Sequence, residues 1–164
     1  MTCVMSIHAN IFLGSLVDRL PDGPLIYVYD FIRFKPQDKE ELQEAVDMWC
    51  ENRKEAIKEY GHISDWNTMM ITDMSELFKG KEEFNDDISE WNTSNVTDMS
   101  LMFNNGRAFN QPIGRWNTSN VINMDGMFCM AIAFNQNIGG WNTNNVTDMR
   151  RMFFMANAFN QNIG

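Results

Sequence analysis

The sequence predicts a repeat solenoid of four 25-residue coils, each built from short strands and short helical turns, with an amphipathic α-helix capping its N-terminal side. Three observations carry this. Tryptophan recurs at Trp66, Trp91, Trp116 and Trp141, 25 residues apart each time. The segments that follow align without a gap, and the same seven positions are apolar in every copy. In the second copy they are Trp91, Val96, Met99, Met102, Phe103, Phe109 and Ile113; in the fourth, Trp141, Val146, Met149, Met152, Phe153, Phe159 and Ile163. Ahead of the first copy, residues 38–60 carry apolar residues at helical spacing. A single 25-residue unit cannot bury its own apolar face, whereas stacked units share one continuous core.

Residues 1–61 read as an N-terminal helical capping region and residues 62–164 as the four-copy array. Residues 11–34 are apolar and broken by Pro21, Gly23 and Pro24, which reads as extra capping structure or a hydrophobic contact segment. In residues 38–60, Asp38 is placed to cap the helix, with Glu41 three residues on and Pro36 just outside. Leu42, Ala45, Val46, Trp49, Ala56, Ile57 and Tyr60 form one apolar stripe, and Gly61 is a stop signal. At 1.5 Å per residue the helix is roughly 33 Å long. Its other face, with Glu40, Glu44, Glu51, Lys54, Glu55 and Lys58, reads as solvated surface. Ile63 holds the register of Ile88, Ile113 and Ile138, so the array follows the helix directly and the helix shields its first coil.

Within a copy, β-branched residues predict a short strand near Val96–Met99, then a helical turn through Met102–Phe103 and a second extended piece through Phe109–Ile113. Asn92, Asn117 and Asn142 follow the tryptophans, and Asn110, Asn135 and Asn160 follow the second phenylalanine. Columns of asparagine satisfy turn backbones along a stack, or else bind a ligand.

The segment WNTSNVTDMSLMFNNGRAFNQPIG and its sister copies resemble the BspA-like repeat, also known as the domain of unknown function DUF285, over Ile63 to Gly164. The resemblance implies a leucine-rich-repeat-like fold and a role in surface or protein–protein contacts, with no enzymatic activity attached. Such repeats occur in mycoplasmas, other bacteria, microbial algae and large DNA viruses. The stretch from Phe34 to Trp66 is similar to the leader of algal and viral members. The first copy departs from the pattern with Met69, Met70 and Ile71 and with Lys81, Glu82 and Glu83; the third carries Asn123 where an aspartate is usual. A shorter stretch, LPDGPLIYVYDFI, resembles the opening of an F-box, which implies a substrate adaptor of a ubiquitin ligase, although Gly23-Pro24 interrupts the first helix of that module.

With 13 basic and 22 acidic residues the formal charge is −9, which gives no electrostatic reason to bind nucleic acid and opposes contact with anionic membranes. Cys3, Cys50 and Cys129 form no CxxC pair and no disulfide framework, and Cys50 and Cys129 read as core thiols. The N-terminus lacks the basic region of a signal peptide, and no apolar run is long enough to span a bilayer. A soluble protein, intracellular or virion-associated rather than secreted, is expected. The N-x-[ST] triplets at Asn92, Asn95, Asn117 and Asn145 belong to the repeat pattern and read as unglycosylated.

Only His8 and His62 are present, and His62 reads as a capping or packed residue. No hydrolase, metalloprotease, phosphate-loop or dinucleotide motif occurs. The sequence therefore predicts no enzyme, no cofactor and no resident metal. The column Asp73, Asp98, Asn123, Asp148 reads as caps for the turns that follow, with a cation site as the alternative. Met99, Met124 and Met149 read as core filler.

The function that follows is a non-catalytic protein–protein interaction scaffold. Its binding ladder is Thr72, Asp73, Thr97, Asp98, Asn123, Thr147 and Asp148. The alternatives are a structural component of a virion or cell envelope, contacting neighbours or a second copy through the fourth coil, and the F-box-like adaptor. The partner is a protein in each case.

Overall fold

Asp38 starts the first helix as the sequence predicts. In the computed structural model, which describes residues 33–163, the Asp38 carboxylate accepts the Glu41 N–H at 2.9 Å, and Glu41 reaches back to the Gln37 N–H at 2.7 Å. Helix α1 spans Lys39–Glu51 and buries Leu42, Ala45, Val46 and Trp49. The expected continuous helix then breaks. Asn52 leaves helical backbone (φ −142°, ψ 75°), ends α1 and caps α2, Arg53–Tyr60, through its side chain. Asparagine offers the backbone a local alternative to helix, and that wins here over the apolar periodicity. The break costs the predicted stripe one member: Ala56 is buried, but Ile57 is exposed. Gly61 closes α2 at φ 72°. Cys3, His8 and the F-box-like stretch lie outside the described residues.

The two helices cover the first coil. Trp66 meets Trp49, Phe34 and Tyr60 with ring centroids 6.0, 5.3 and 6.1 Å apart. Trp49 Nε1–H donates to Asp86 at 2.9 Å, and Lys81 pairs with Asp47 at 2.7 Å. Gln43 Nε2–H donates to the Leu77 carbonyl at 3.1 Å.

The leucine-rich-repeat-like solenoid with short strands is not what the chain forms. Among the described residues there are two α-helices, one 3-10 turn at Ile63–Asp65 and no strand or sheet. Coil-to-coil pairing is reduced to single parallel bridges, Asp73 with Asp98, Asp98 with Asn123 and Asn123 with Asp148. Neither the predicted strand at Val96–Met99 nor the extended piece at Phe109–Ile113 exists as a strand, and Met102–Phe103 lies in a run of turns. Around Met102–Phe103 a pair of left-handed residues in each copy prevents a helix. Glu76, Leu101, Gly126 and Arg151 take φ of 62, 56, 59 and 56°; Gly80, Asn105, Met130 and Met155 take 73, 57, 61 and 59°. A positive φ ends both helix and strand.

These turns form a staircase. Alternate residues bond three back, as Leu77, Lys79 and Lys81 do to Met74, Glu76 and Phe78. The residues between them, Met74, Glu76, Phe78 and Gly80, donate their N–H groups to the carbonyls of Asp98, Ser100, Met102 and Asn104 in the next copy. The same four bonds recur from Met99, Leu101, Phe103 and Asn105 to the third copy, and from Met124, Gly126, Phe128 and Met130 to the fourth. A left-handed non-glycine residue costs about 1–2 kcal/mol, and these interlocked bonds hold each one in place.

Side chains complete the stacking. The rings of Phe78, Phe103, Phe128 and Phe153 lie 5.4, 5.7 and 5.7 Å apart in one column. Phe84, Phe109, Phe134 and Phe159 form a second at 6.0, 6.0 and 5.8 Å. Indole N–H groups of Trp91, Trp116 and Trp141 donate to the Ile63, Ile88 and Ile113 carbonyls 28 residues earlier. Buried Thr68, Thr93 and Thr118 donate to Asn92, Asn117 and Asn142 carbonyls in the copy after. The asparagine columns serve the backbone: Asn85, Asn110 and Asn135 Oδ1 accept the N–H of Asn110, Asn135 and Asn160.

Candidate functional site

On one flank of the stack, Ile71, Val96 and Val121 point into the core, and the next residue in each copy faces solvent. That alternation sets Thr72, Thr97, Ile122 and Thr147 in an exposed column. Backbone bonds of 2.8 Å from Thr97 to Thr72, Ile122 to Thr97 and Thr147 to Ile122 fix it. Beside it stand Asn95, Asn120 and Asn145. Together these seven residues line a shallow groove of about 550 Å³.

The groove carries no charged side chain. Thr97 and Thr147 hydroxyls donate to Thr72 and Ile122 carbonyls at 3.1 and 3.2 Å. Asn95, Asn120 and Asn145 amides donate to Met69, Ser94 and Ser119 carbonyls at 2.8, 2.7 and 2.6 Å. Each amide keeps a second N–H and an oxygen facing out, so the groove presents donors and acceptors alike. Ile122 adds an apolar spot, 48% exposed.

The predicted ladder therefore divides. Thr72, Thr97 and Thr147 line the groove. Asp73, Asp98, Asn123 and Asp148 form a half-buried column next to it and are occupied by local bonds. Each Oδ1 accepts the N–H two residues on, from Ser75, Ser100, Asp125 and Arg150. Asp73 Oδ2 takes Lys39 Nζ at 3.1 Å, Asp98 Oδ2 takes the Asn123 amide at 3.1 Å, and Asp148 takes the Arg150 guanidinium. The capping reading fits these bonds, with the difference that the capped element is a turn and not a helix. Asn123 has a physical place in the column: its amide donates where another carboxylate would repel Asp98. Among the described residues no three His, Cys, Asp or Glu side chains converge to hold a metal.

At Asp73, burial pushes the carboxyl up, but the Ser75 N–H and hydroxyl and the Lys39 ammonium outweigh it and hold the group below its ordinary value. Arg150 does the same to Asp148, and the Ser89 N–H to Asp87. All three shifts lead away from neutrality, opposite to what a general base needs. Cys50, expected in the core, is exposed, one residue beyond the buried face of α1 at Trp49. Partial desolvation of its thiol raises its pKa, so it is not an activated nucleophile. Cys129 is half-buried. His62 is the cap of the 3-10 turn, accepting from Ser64, and its ring lies edge-on to Trp49 at 5.0 Å. Met99 and Met124 are core filler as expected, whereas Met149 is 43% exposed on the outer side of the fourth coil.

Sequence reasoning missed Asn95, Asn120, Asn145 and Ile122 as groove residues. The signal was present: asparagine falls four places after the tryptophan in copies two to four.

Turn-built copies stacked in register, with a neutral groove on one flank, define a repeat protein. The chain belongs to the family described as Mycoplasma protein of unknown function, DUF285, whose model matches residues 44–164. That bears out the resemblance read from the repeats, and the match begins inside α1. No curated protein and no solved structure matches the chain. Among the described residues no helix is long and apolar enough to cross a membrane.

Proposed function

We propose that this chain is a non-catalytic scaffold that binds another protein along the groove of Thr72, Asn95, Thr97, Asn120, Ile122, Asn145 and Thr147. The observation that carries the reading is the chemistry of that groove: uncharged in a chain of formal charge −9, lined by amides and hydroxyls, and repeated coil by coil. A partner with backbone or side-chain polar groups at matching intervals engages several copies at once, so modest contacts sum. The test replaces Asn95, Thr97, Asn120, Asn145 and Thr147 together by alanine in the intact chain and compares affinity capture with the parent. A specific protein held by the parent and lost by the variant supports the reading; retention of the same protein at equal yield refutes it.

A further inference from the structure

We propose that the flank groove takes an uncharged, proline-punctuated segment of a partner protein in the polyproline II conformation, laid along the stack with one proline for every two coils. The proposal rests on the groove reading above and names what the partner brings to it. Period decides the conformation. Parallel bridges and 2.8 Å backbone bonds join the coils at Thr72, Thr97, Ile122 and Thr147. Groove residues on this flank therefore recur about every 4.8 Å, and those two coils apart about every 9.6 Å. A segment lying along the groove meets equivalent groups only if its own same-face repeat matches one of those lengths. Polyproline II turns once in three residues, about 9.3 Å, and misses two coils by roughly 0.3 Å. A β-strand repeats its face at about 6.7 Å and matches neither length. An α-helix has a pitch of about 5.4 Å and drifts by roughly 0.6 Å at each coil.

The lining has the same two-coil rhythm. Thr97 and Thr147 stand two coils apart, with Ile122 midway between them and 48% exposed. Asn95 and Asn145 are also two coils apart. Each gives one amide N–H to the Met69 or Ser119 carbonyl and keeps the other for a ligand. Chemistry then decides the composition. A polyproline II backbone makes no internal hydrogen bonds, so its carbonyls are free to accept from those amides. Proline brings no N–H of its own to be left unpaired, and its ring suits Ile122 and the threonine methyls. It also sets the conformation before binding, so a shallow groove lined only by Thr, Asn and Ile does not have to order a flexible chain. A charged residue would lose water and find no opposite charge among these seven neutral side chains. The residues between prolines are therefore small polar ones such as serine and glutamine, whose donors suit the asparagine oxygens.

The experiment titrates the intact nitrogen-15-labelled chain with a nine-residue peptide that repeats proline-serine-glutamine, and follows the side-chain amide signals. The expected result is a saturable shift of the Asn95, Asn120 and Asn145 amides. The same peptide built with D-proline, or with alanine for proline, should need at least tenfold more to reach half-saturation. Asn95→Ala/Asn145→Ala should weaken binding at least tenfold. Because those amides also bond the preceding coil, Ile122→Asp at an exposed position is the second variant; it should weaken binding as much with the far-ultraviolet spectrum unchanged. Ile57→Asp, equally exposed but on α2, should leave binding intact. Absence of binding, shifts confined to other residues, equal binding of the D-proline peptide, or indifference to Ile122→Asp overturns the proposal. If the peptide fails while the five-alanine groove variant still loses a protein that the parent holds, the groove reading stands without this occupant. If that variant loses nothing either, both fail.

Discussion

The ring columns give the sharpest test of the stack, because the same substitution can be made inside it and on its outer coil. Phe128 is fully buried, lies 3.9 Å from Phe134 by ring centroid, and has Phe103 and Phe153 on either side at 5.7 Å. Phe128→Ala removes the ring and both stacking neighbours, a loss of about 3–5 kcal/mol. Phe153 occupies the equivalent place in the fourth coil, but it has a column neighbour on one side only and is half-buried. It recovers less solvent-exclusion energy and one stacking partner fewer, so Phe153→Ala should cost about 1–3 kcal/mol. For a chain of this length each kcal/mol moves the midpoint by roughly 2–4 °C. Phe128→Ala should therefore lower Tm by about 6–20 °C and Phe153→Ala by the smaller amount of about 2–12 °C. Thermal and urea unfolding followed by tryptophan fluorescence measure both. Equal losses, or a loss under about 1 kcal/mol at Phe128, would refute the claim that coil-on-coil ring stacking holds the array together.

The remaining predictions address the turns and the acidic column. Gly126→Ala places a methyl group 2.7 Å from Leu101 Cδ2 at a φ of 59°; it should destabilise by about 1–2 kcal/mol from the left-handed backbone alone, with a further part relieved by Leu101→Ala. Strict additivity of the two in urea denaturation would disprove the contact. Thr118→Val removes the buried donor to the Asn142 carbonyl and should cost about 1 kcal/mol, read as a shift in denaturation midpoint. The Asp73 carboxyl is held below its ordinary value, so its stabilising contribution is present above the unfolded pKa of about 3.9 and is lost as pH falls through the lower folded value. Asp73→Asn should flatten the acid limb of Tm against pH, and an unchanged limb contradicts the pairing. Asn123→Asp sets a carboxylate against Asp98, so it should destabilise at neutral pH by about 1 kcal/mol and recover as pH drops below about 4; a pH-independent effect would point elsewhere.

Much of this arrangement is written plainly in the sequence, and what is not has physical causes. Register and core were legible because Trp, Val, Met and Phe must repeat for stacked coils to share a core; Trp91, Val96, Met99, Met102, Phe103, Phe109 and Ile113 are all buried. The turns were not, because left-handed backbone is held by Glu76, Leu101, Asn105, Met130, Arg151 and Met155. None of these is glycine, and only Asn105 is of a type enriched there. Only Gly80 and Gly126 mark those two positions, one copy each. The V-x-x-M-x-x-M-F spacing thus mimics a helix, and its β-branched start mimics a strand, while coil-to-coil hydrogen bonds impose neither. Asn52 is similar: one polar residue in a good helical stripe, whose capping ability decides the break. In the candidate site, the threonines were legible as outward residues. The aspartates beside them were only half legible, because their spacing does not reveal that Ser75, Ser100, Asp125 and Arg150 backbone N–H groups engage them.

The way the stack satisfies its polar groups bears on function. The indoles of Trp91, Trp116 and Trp141, the buried threonines and the groove asparagines find carbonyls within or between coils, and the acidic column closes on its own turns. The outward chemistry of a copy in the middle of the array is therefore the neutral groove, whose amides keep one N–H and one oxygen each for a partner.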